Sequence, residues 1–370
     1  MLKLLSVDYK ERLLDKRFNI KDNWSLTGLK LSPFTIITGL NSAGKTRTCN
    51  LIKDFFLNKL LGYPKDLRIG DHNVLLKTSE DYSYRINIDI SLDKNDNKVI
   101  KKDELHKIAD GMSTLLYNRD KIYDMNLNKI VSYRPPKDSL TFHARRDEIS
   151  YPYIEEIMRE ANNFYFLDFE ELKIITVGKI IEKKLPKEIL PSLTPAFFDL
   201  LVTKEIKNKI LEEINLLGFA IKDISIEPII IGNQKAPMLF FKERGVKVPY
   251  DMIQASQGMN KIIFLIVILN LMEDGSCILI DNLGDGLDYK RSMDIVPIIE
   301  EKSNNKQIIM CTNNEILLNQ TDIRNWNILH REGTKVRAFN YENNKDQLNK
   351  FADSGLSNYE YFMSKYYIED

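Results

Sequence analysis

Cysteine is scarce in this 370-residue chain. Cys49, Cys277 and Cys311 are odd in number, far apart and without a CxxC pair. A disulfide framework or a zinc site is therefore not expected, and three buried thiols in a reducing compartment are. Histidine is scarce too: His72, His106, His143 and His330 show neither H-x-x-E-H nor H-E-x-x-H spacing. Satisfied or surface side chains are expected for all four. No long hydrophobic run exists. The longest, residues 262–272, is interrupted by Asn270; it is too short to span a bilayer and predicts a buried helix. The first ten residues carry three charges and no signal-peptide core, so a cytoplasmic protein without a membrane partner is expected. Neither sign of charge prevails, with 53 Lys+Arg against 53 Asp+Glu. That excludes a protein coated in positive charge and held on nucleic acid by it. The neutrality is a sum of unlike ends: residues 1–70 hold 13 basic and 6 acidic side chains, residues 341–370 hold 3 and 6.

What is present is an ordinary globular composition, 43% hydrophobic and 29% charged, which excludes disorder. The length suggests roughly two to three domain-sized units. Residues 29–38 end in a β-rich apolar run, and residues 46–61 carry apolar side chains at helical spacing. Residues 73–78 and 82–92 alternate like antiparallel strands. Residues 104–220 predict mostly helix, including 203–217 with Ile206, Ile210, Ile214 and Leu217 on one stripe. Residues 222–249 return to strand pattern around a turn at Gly232-Asn233. Helix 256–273, strand 276–281, helix 289–301 and strand 307–312 follow, then a final strand pair around WNILHR and KVRAFNY. Strand–helix alternation predicts a parallel sheet covered on both faces.

The sharpest motif joins the first strand to the first helix. Gly39-Leu40-Asn41-Ser42-Ala43-Gly44-Lys45-Thr46 matches G-x-x-x-x-G-K-[ST] at every position. Its glycines let backbone N–H groups close around phosphate oxygens, and the helix N-terminus adds positive field. Lys45 is placed to reach the β- and γ-phosphates of ATP, the Thr46 hydroxyl to ligate Mg²⁺, and Arg47 to lie beside them. A second set follows in order: Ser256-Gln257-Gly258 opening an apolar helix, Asp281 closing the strand Cys277-Ile278-Leu279-Ile280, Asn282, Asp285 and Asp288 in the loop beyond, and Thr312-Asn313-Asn314 after the next strand. Each is weak alone; four in this order, at strand and helix ends, are strong.

These residues together resemble the ABC-type branch of P-loop ATPases that contains SMC, RecF and the OLD-like ATPases. ASQGMNK looks like the ABC signature, CILID like the Walker B strand, GLD like the D-loop, and Thr312-Asn313 stand at the switch position. HARRDEISYPYIEEI (143–157) and the segments TNNEILLNQ and GLSNYEYF resemble compact OLD-like ATPases, several of which serve anti-phage or toxin–antitoxin modules. The resemblance implies an α/β fold: an ABC/RecA-like P-loop core with an antiparallel β-subdomain and an inserted helical lobe. Its parts are expected at 1–102 and 222–345 for the core, 103–221 for the lobe and 346–370 for a tail. It also implies ATP and Mg²⁺ as cofactors, a homodimer or higher homo-oligomer, and a separate effector protein. In such a dimer Ser256 and Gly258 of one protomer face the ATP held by the other, and a second helix N-terminus neutralises the γ-phosphate only on closure.

Two departures matter. Asn282 stands where relatives carry a catalytic Glu; an amide orients water but accepts no proton. Thr312-Asn313-Asn314 replace the usual switch His. Slow hydrolysis is expected, with Asp281 on Mg²⁺ and Asn282 or Asp285 positioning water. Arg145-Arg146 and the basic residues Lys10, Arg12, Lys16 and Arg17 are weaker candidates for phosphate or DNA contact. A RecF-like DNA clamp and a nucleotide-binding scaffold with little turnover are the rival readings. The aromatic tail is expected to pack back onto the sheet.

Overall fold

Three five-residue runs organise the molecule. Phe34–Thr38, Cys277–Asp281 and Gln307–Cys311 are buried along their whole length, the pattern of strands covered on both faces. The computed structural model describes residues 3–11, 23–62, 68–78, 80–169, 185, 187–189, 193–231, 234–284, 286–352 and 354–368. Its elements begin with β1 (Lys3–Glu11), β2 (Ser25–Lys30), β3 (Phe34–Thr38) and α1 (Lys45–Asp54), which continues as one π-helical segment, Phe55–Leu60. An antiparallel arm follows: β4 (Gly70–Lys77), β5 (Ser83–Leu92), β6 (Lys98–Ala109), β7 (Met112–Tyr117), β8 (Lys121–Asp124) and β9 (Lys129–Ser132). Then come α2 (Thr141–Ala144), α3 (Pro152–Ala161), β10 (Phe164–Asp168), β11 (Glu188–Ile189), α4 (Thr194–Leu201) and α5 (Lys204–Leu216). A small sheet of β12 (Ile221–Ile231), β13 (Gln234–Glu243) and β14 (Tyr250–Asp251) precedes α6 (Gln257–Leu271), β15 (Cys277–Asp281), α7 (Tyr289–Ser303), β16 (Gln307–Cys311) and α8 (Glu315–Gln320). The chain closes with β17 (Trp326–Glu332), β18 (Lys335–Asn340), α9 (Lys345–Ala352) and α10 (Asn358–Ser364).

The large sheet runs β11-β10-β15-β16-β3-β17-β18-β2-β1-β4-β5-β6-β7-β8-β9. It is parallel from β11 to β17 and mainly antiparallel beyond. The strand ends that carry Asp281, Cys311 and the phosphate-loop motif thus point one way, the arrangement in which α/β sheets bind ligands outside the carboxyl ends of their strands. Two hydrophobic clusters cover the two faces. One is built around α6, buried without a break from Met259 to Leu269. The other holds α1, α3 and the antiparallel arm. The tail docks where expected: Tyr361, Phe362 and Tyr367 are buried in the first cluster beside Trp326, Phe339 and Phe351.

The mixed α/β class is as anticipated. Residues 103–132, however, are not helical. They continue the antiparallel arm through β6 to β9, so residue 103 lies inside a strand. The reason is composition: β6, Lys-Val-Ile-Lys-Lys-Asp-Glu-Leu-His-Lys-Ile-Ala, carries charge on both faces, with Asp103 buried on the same face as Leu105, and so lacks the apolar–polar alternation that marks a half-buried strand. Helices α2 to α5 do follow, but β10 between them belongs to the core sheet, paired with β15. Helix α5 matches its prediction, with Thr203 as N-cap accepting from the Ile206 amide and Ile210 and Ile214 buried. The turn expected at Gly232-Asn233 lies outside the described residues.

Candidate functional site

The loop between β3 and α1 is shaped by close approach. A Cβ on Gly39 would meet the Leu329 carbonyl oxygen at 2.8 Å and the Ala43 Cβ at 3.0 Å. Gly44 sits at φ 106° and Ser42 at φ 68°, left-handed conformations that let the chain reverse into the helix. Helix α1 starts without a side-chain cap and without an acidic residue in its first turn. Its first N–H groups are therefore presented to an anion rather than to a protein carboxylate. Asn41, Ser42 and Thr46 are exposed, and Lys45 is half-buried. The Lys45 ammonium donates to the Gly39 carbonyl at 2.6 Å. Burial lowers its pKa, and the negative charge of Asp281 opposes that shift. The two side chains thus feel each other's charge across the loop.

Asp281 is 4% exposed at the end of β15. It pairs in register with Cys311 of β16 on one side and Asp168 of β10 on the other. In-register residues of neighbouring parallel strands share a face, so Asp168, Asp281 and Cys311 form a row on one side of the sheet. Cys49 of α1 faces that row: its sulfur, the Cys311 sulfur and an Asp281 carboxylate oxygen all lie within 4.8 Å of one another. The sulfurs of Cys49 and Cys311 are joined as a disulfide, against the expectation of three thiols. Sequence could not show this, because 262 positions separate the pair and only the packing of α1 over β15 and β16 brings them together. Cys277 is free and buried.

The loop after β15 is pinned by the segment after β16. Thr312 Oγ1 donates to the Leu283 carbonyl at 2.8 Å, and Asn314 Nδ2 to the Gly284 carbonyl at 3.3 Å. Asn314 also caps α8, accepting from the Ile316 and Leu317 amides. Asn313 Nδ2 donates to Asn41 Oδ1 of the phosphate loop at 3.3 Å. One tripeptide therefore touches both halves of the site. Asn282 adopts φ 60°, a conformation Asn tolerates better than most residues, and its amide donates to Asp281 Oδ1 at 3.1 Å. Asp285 lies outside the described residues.

Ser256 caps α6, accepting from the Met259 amide at 3.2 Å, and Gln257 beside it is exposed. Gly258 is fitted against the loop beyond Asp281 within the same chain: a Cβ there would stand 2.8 Å from the Gly286 carbonyl oxygen. Asp288 caps α7 and pairs with Arg291; the hydrogen bonds from the Arg291 backbone amide lead in holding its carboxyl below the usual range. Arg47 is engaged from the side, ion-paired with Glu11 at 2.8 Å and stacked over Trp24. Arg145 lies over the Tyr133 ring, and Arg146 is paired with Glu155. Of the N-terminal basic residues, Lys10 is described and the other three are not. Asp168 is a candidate that sequence reasoning did not name. The signal was there, since Phe-Tyr-Phe-Leu-Asp closes an apolar strand on a carboxylate just as Cys-Ile-Leu-Ile-Asp does.

Thr46, Asp281 and Asp168 supply hard oxygen donors of the kind Mg²⁺ takes, and the uncapped start of α1 with Lys45 suits a polyphosphate. Among the described residues, no helix is long and apolar enough to cross a membrane.

No curated protein matches the chain. Among solved structures, it is similar to an Smc head bound to the C-terminal winged-helix domain of ScpA (13% identity, 90% of this chain and 96% of that one, TM-score 0.48). It is also similar to the SMC head domain from Thermotoga maritima (14%, 91% and 98%, 0.42) and to an Smc head with an extended coiled coil from Pyrococcus furiosus (13%, 95% and 100%, 0.45). A family model matches residues 34–319, the span that holds the phosphate loop, Asp281 and the Thr312–Asn314 segment. The chain belongs to the family described as "AAA domain, putative AbiEii toxin, Type IV TA system", a family of P-loop ATPases.

Proposed function

We propose that this protein binds ATP with Mg²⁺ in the loop of residues 39–46, hydrolyses it slowly, and uses the bound state as a switch. One observation carries the reading: Thr312, Asn313 and Asn314 tie the phosphate loop to the loop after Asp281. Whatever fills the first is thereby felt by the second. Lys45 holds phosphate charge, and the N–H groups opening α1 complete the cradle. Mg²⁺, held by Thr46 and Asp281, would neutralise charge on the phosphate oxygens. Asn282 lacks a basic oxygen, and its left-handed backbone makes a Glu there strained. Asp168, in register with Asp281, is the described carboxylate best placed to activate water. Ser256 and Gly258 open a helix whose N-terminus completes a partner's site when two protomers close on ATP. A ligand that binds the closed state better shifts the population toward it. The output passes to a separate effector in the cytoplasm, in a defence or toxin–antitoxin setting, the second of which the family description supports. No described feature favours a DNA clamp.

Single-turnover hydrolysis tests the assignment. Asp168→Asn is expected to slow hydrolysis at least about tenfold, within the range of general-base losses, while ATP affinity stays within about threefold. An unchanged rate removes Asp168 from this role. Mass measurement with and without ATP, comparing the wild type with Ser256→Arg, tests closure: ATP is expected to double the mass of the wild type only.

A further inference from the structure

Cys49 and Cys311 take no part in the proposed chemistry, yet they sit at its centre. Cys49 lies one turn after Lys45 on α1 and is fully buried; Cys311 ends β16, immediately before the Thr312–Asn314 segment, and is 2% exposed. Their bond links the helix that starts the phosphate cradle to the strand that leads into the pinning tripeptide, beside the Asp281 carboxylate. Cys277, at the other end of β15, is alone, hydrogen-bonded to Gln307 Oε1 at 3.4 Å, and burial pushes its thiol up. It is an inert internal reference.

We propose that Cys49 and Cys311 are an oxidative modification site, a reversible crosslink that controls how tightly the cradle holds ATP. The proposal rests on residues 39–46 being a nucleotide site. The co-reactant is a peroxide. Two thiols release two protons and two electrons; the peroxide O–O bond breaks, the S–S bond forms, and hydrogen peroxide leaves as two waters. A dithiol reductant reverses the step by thiol–disulfide exchange, becoming oxidised as both cysteines regain their protons. Disulfides in reducing compartments are mostly of this transient, sensing kind.

The direction of control follows from geometry. The bond ties α1 to the end of β16, fixing the helix that carries the cradle against the strand that leads into Thr312–Asn314. Lys45 and Thr46 ride on the first turn of that helix, and both sulfurs lie within 4.8 Å of the carboxylate oxygen that would meet Mg²⁺. Reduction releases both constraints, so the dithiol form binds ATP more tightly.

The test uses the full chain, treated with hydrogen peroxide or with a dithiol reductant, then denatured and alkylated. The expected adduct count is one after peroxide, at Cys277, and three after reduction, with a linked Cys49–Cys311 peptide in the oxidised digest. Calorimetry with Mg²⁺ and ATP should show the reduced form binding about fivefold more tightly or better, the lower end of ordinary coupling. Cys49→Ser and Cys311→Ser, or Cys49→Ala where either folds poorly, should bind like the reduced wild type under both treatments. Three adducts after peroxide overturn the crosslink. One adduct with equal affinity in both forms overturns its control of the cradle. Failure of the reduced form to bind ATP overturns the nucleotide site and with it the control, while the adduct count still reports on the crosslink alone.

Discussion

Gly258→Ala places a methyl carbon 2.8 Å from the Gly286 carbonyl oxygen, where ordinary contact begins at 3.4 Å. Either α6 or the loop after Asp281 must retreat by about 0.6 Å. The oxygen belongs to the backbone and has no rotamer by which to move aside. Overpacking of this kind costs about 1–3 kcal/mol, and the better helix propensity of Ala returns at most about 1 kcal/mol, less in a first turn. A net loss of about 1–2 kcal/mol follows, a fall in Tm of a few degrees for a chain this size. Because the retreating loop follows Asp281 and leads to Asp288, hydrolysis should fall with stability. The phosphate loop itself is untouched, so ATP affinity should hold within about twofold. Thermal melts, single-turnover hydrolysis and ATP-binding calorimetry on the same preparation measure the three quantities. A Tm equal to or above wild type would refute the tight contact. Lost hydrolysis at unchanged stability would place the effect of Gly258 on a partner's nucleotide alone.

Lys45→Ala removes the ammonium that faces the cradle and should weaken ATP binding by about ten- to a hundredfold, the value of a charge-assisted hydrogen bond; calorimetry with Mg²⁺ and ATP measures it, and affinity within threefold would exclude Lys45 from phosphate contact. His72 is fully buried against Lys59, and burial first, then the Lys59 charge, holds its pKa well below the usual value. Below about pH 6.5 the unfolded imidazole takes a proton that the folded one refuses, so stability should fall with acid by up to about 1.4 kcal/mol per pH unit. Urea melts from pH 7.5 to 5 should show the slope in the wild type and a shallower one in His72→Phe. Lys302 of α7 joins Glu213 of α5 at 2.7 Å and Asn270 of α6 at 2.8 Å. Lys302→Met strands a buried carboxylate and should cost about 3–5 kcal/mol, while Lys302→Met with Glu213→Leu should recover most of it, since replacing both charges with apolar groups is often neutral; equal losses in both variants would show that the pair is not the cause.

Much of the core was legible because buried parallel strands leave plain marks. Residues 34–38, 277–281 and 307–311 are short apolar runs ending in turn residues, and residues 39–46 match their motif at every position. Helix α6 showed itself as an apolar run opened by Ser256 as its cap. The antiparallel arm beyond residue 98 was illegible because its buried positions, Ile100, Asp103 and Leu105, straddle a register shift in the pairing with β5 and include a carboxylate, so burial left no plain alternation of apolar and polar residues. Asp168 was legible in form and missed in meaning: an apolar strand closing on Asp carries no sign of the strand beside it.

The sequence by itself determined the local features: a phosphate-loop motif, a strand ending in Asp281, a capped apolar helix at Ser256, and the tripeptide Thr312-Asn313-Asn314. These depend on residue type and spacing over a few positions, the range within which backbone hydrogen bonds and caps act. Only the tertiary structure decided what each one touches. Parallel register put Asp168 beside Asp281 and Cys311, the crossing of α1 over the sheet joined Cys49 to Cys311, and the seat of α6 set Gly258 against Gly286. Each of these contacts spans tens to hundreds of residues, and no local propensity encodes them. They arise because two faces of one sheet must be covered at close-packed density, which fixes neighbours that the chain order leaves free.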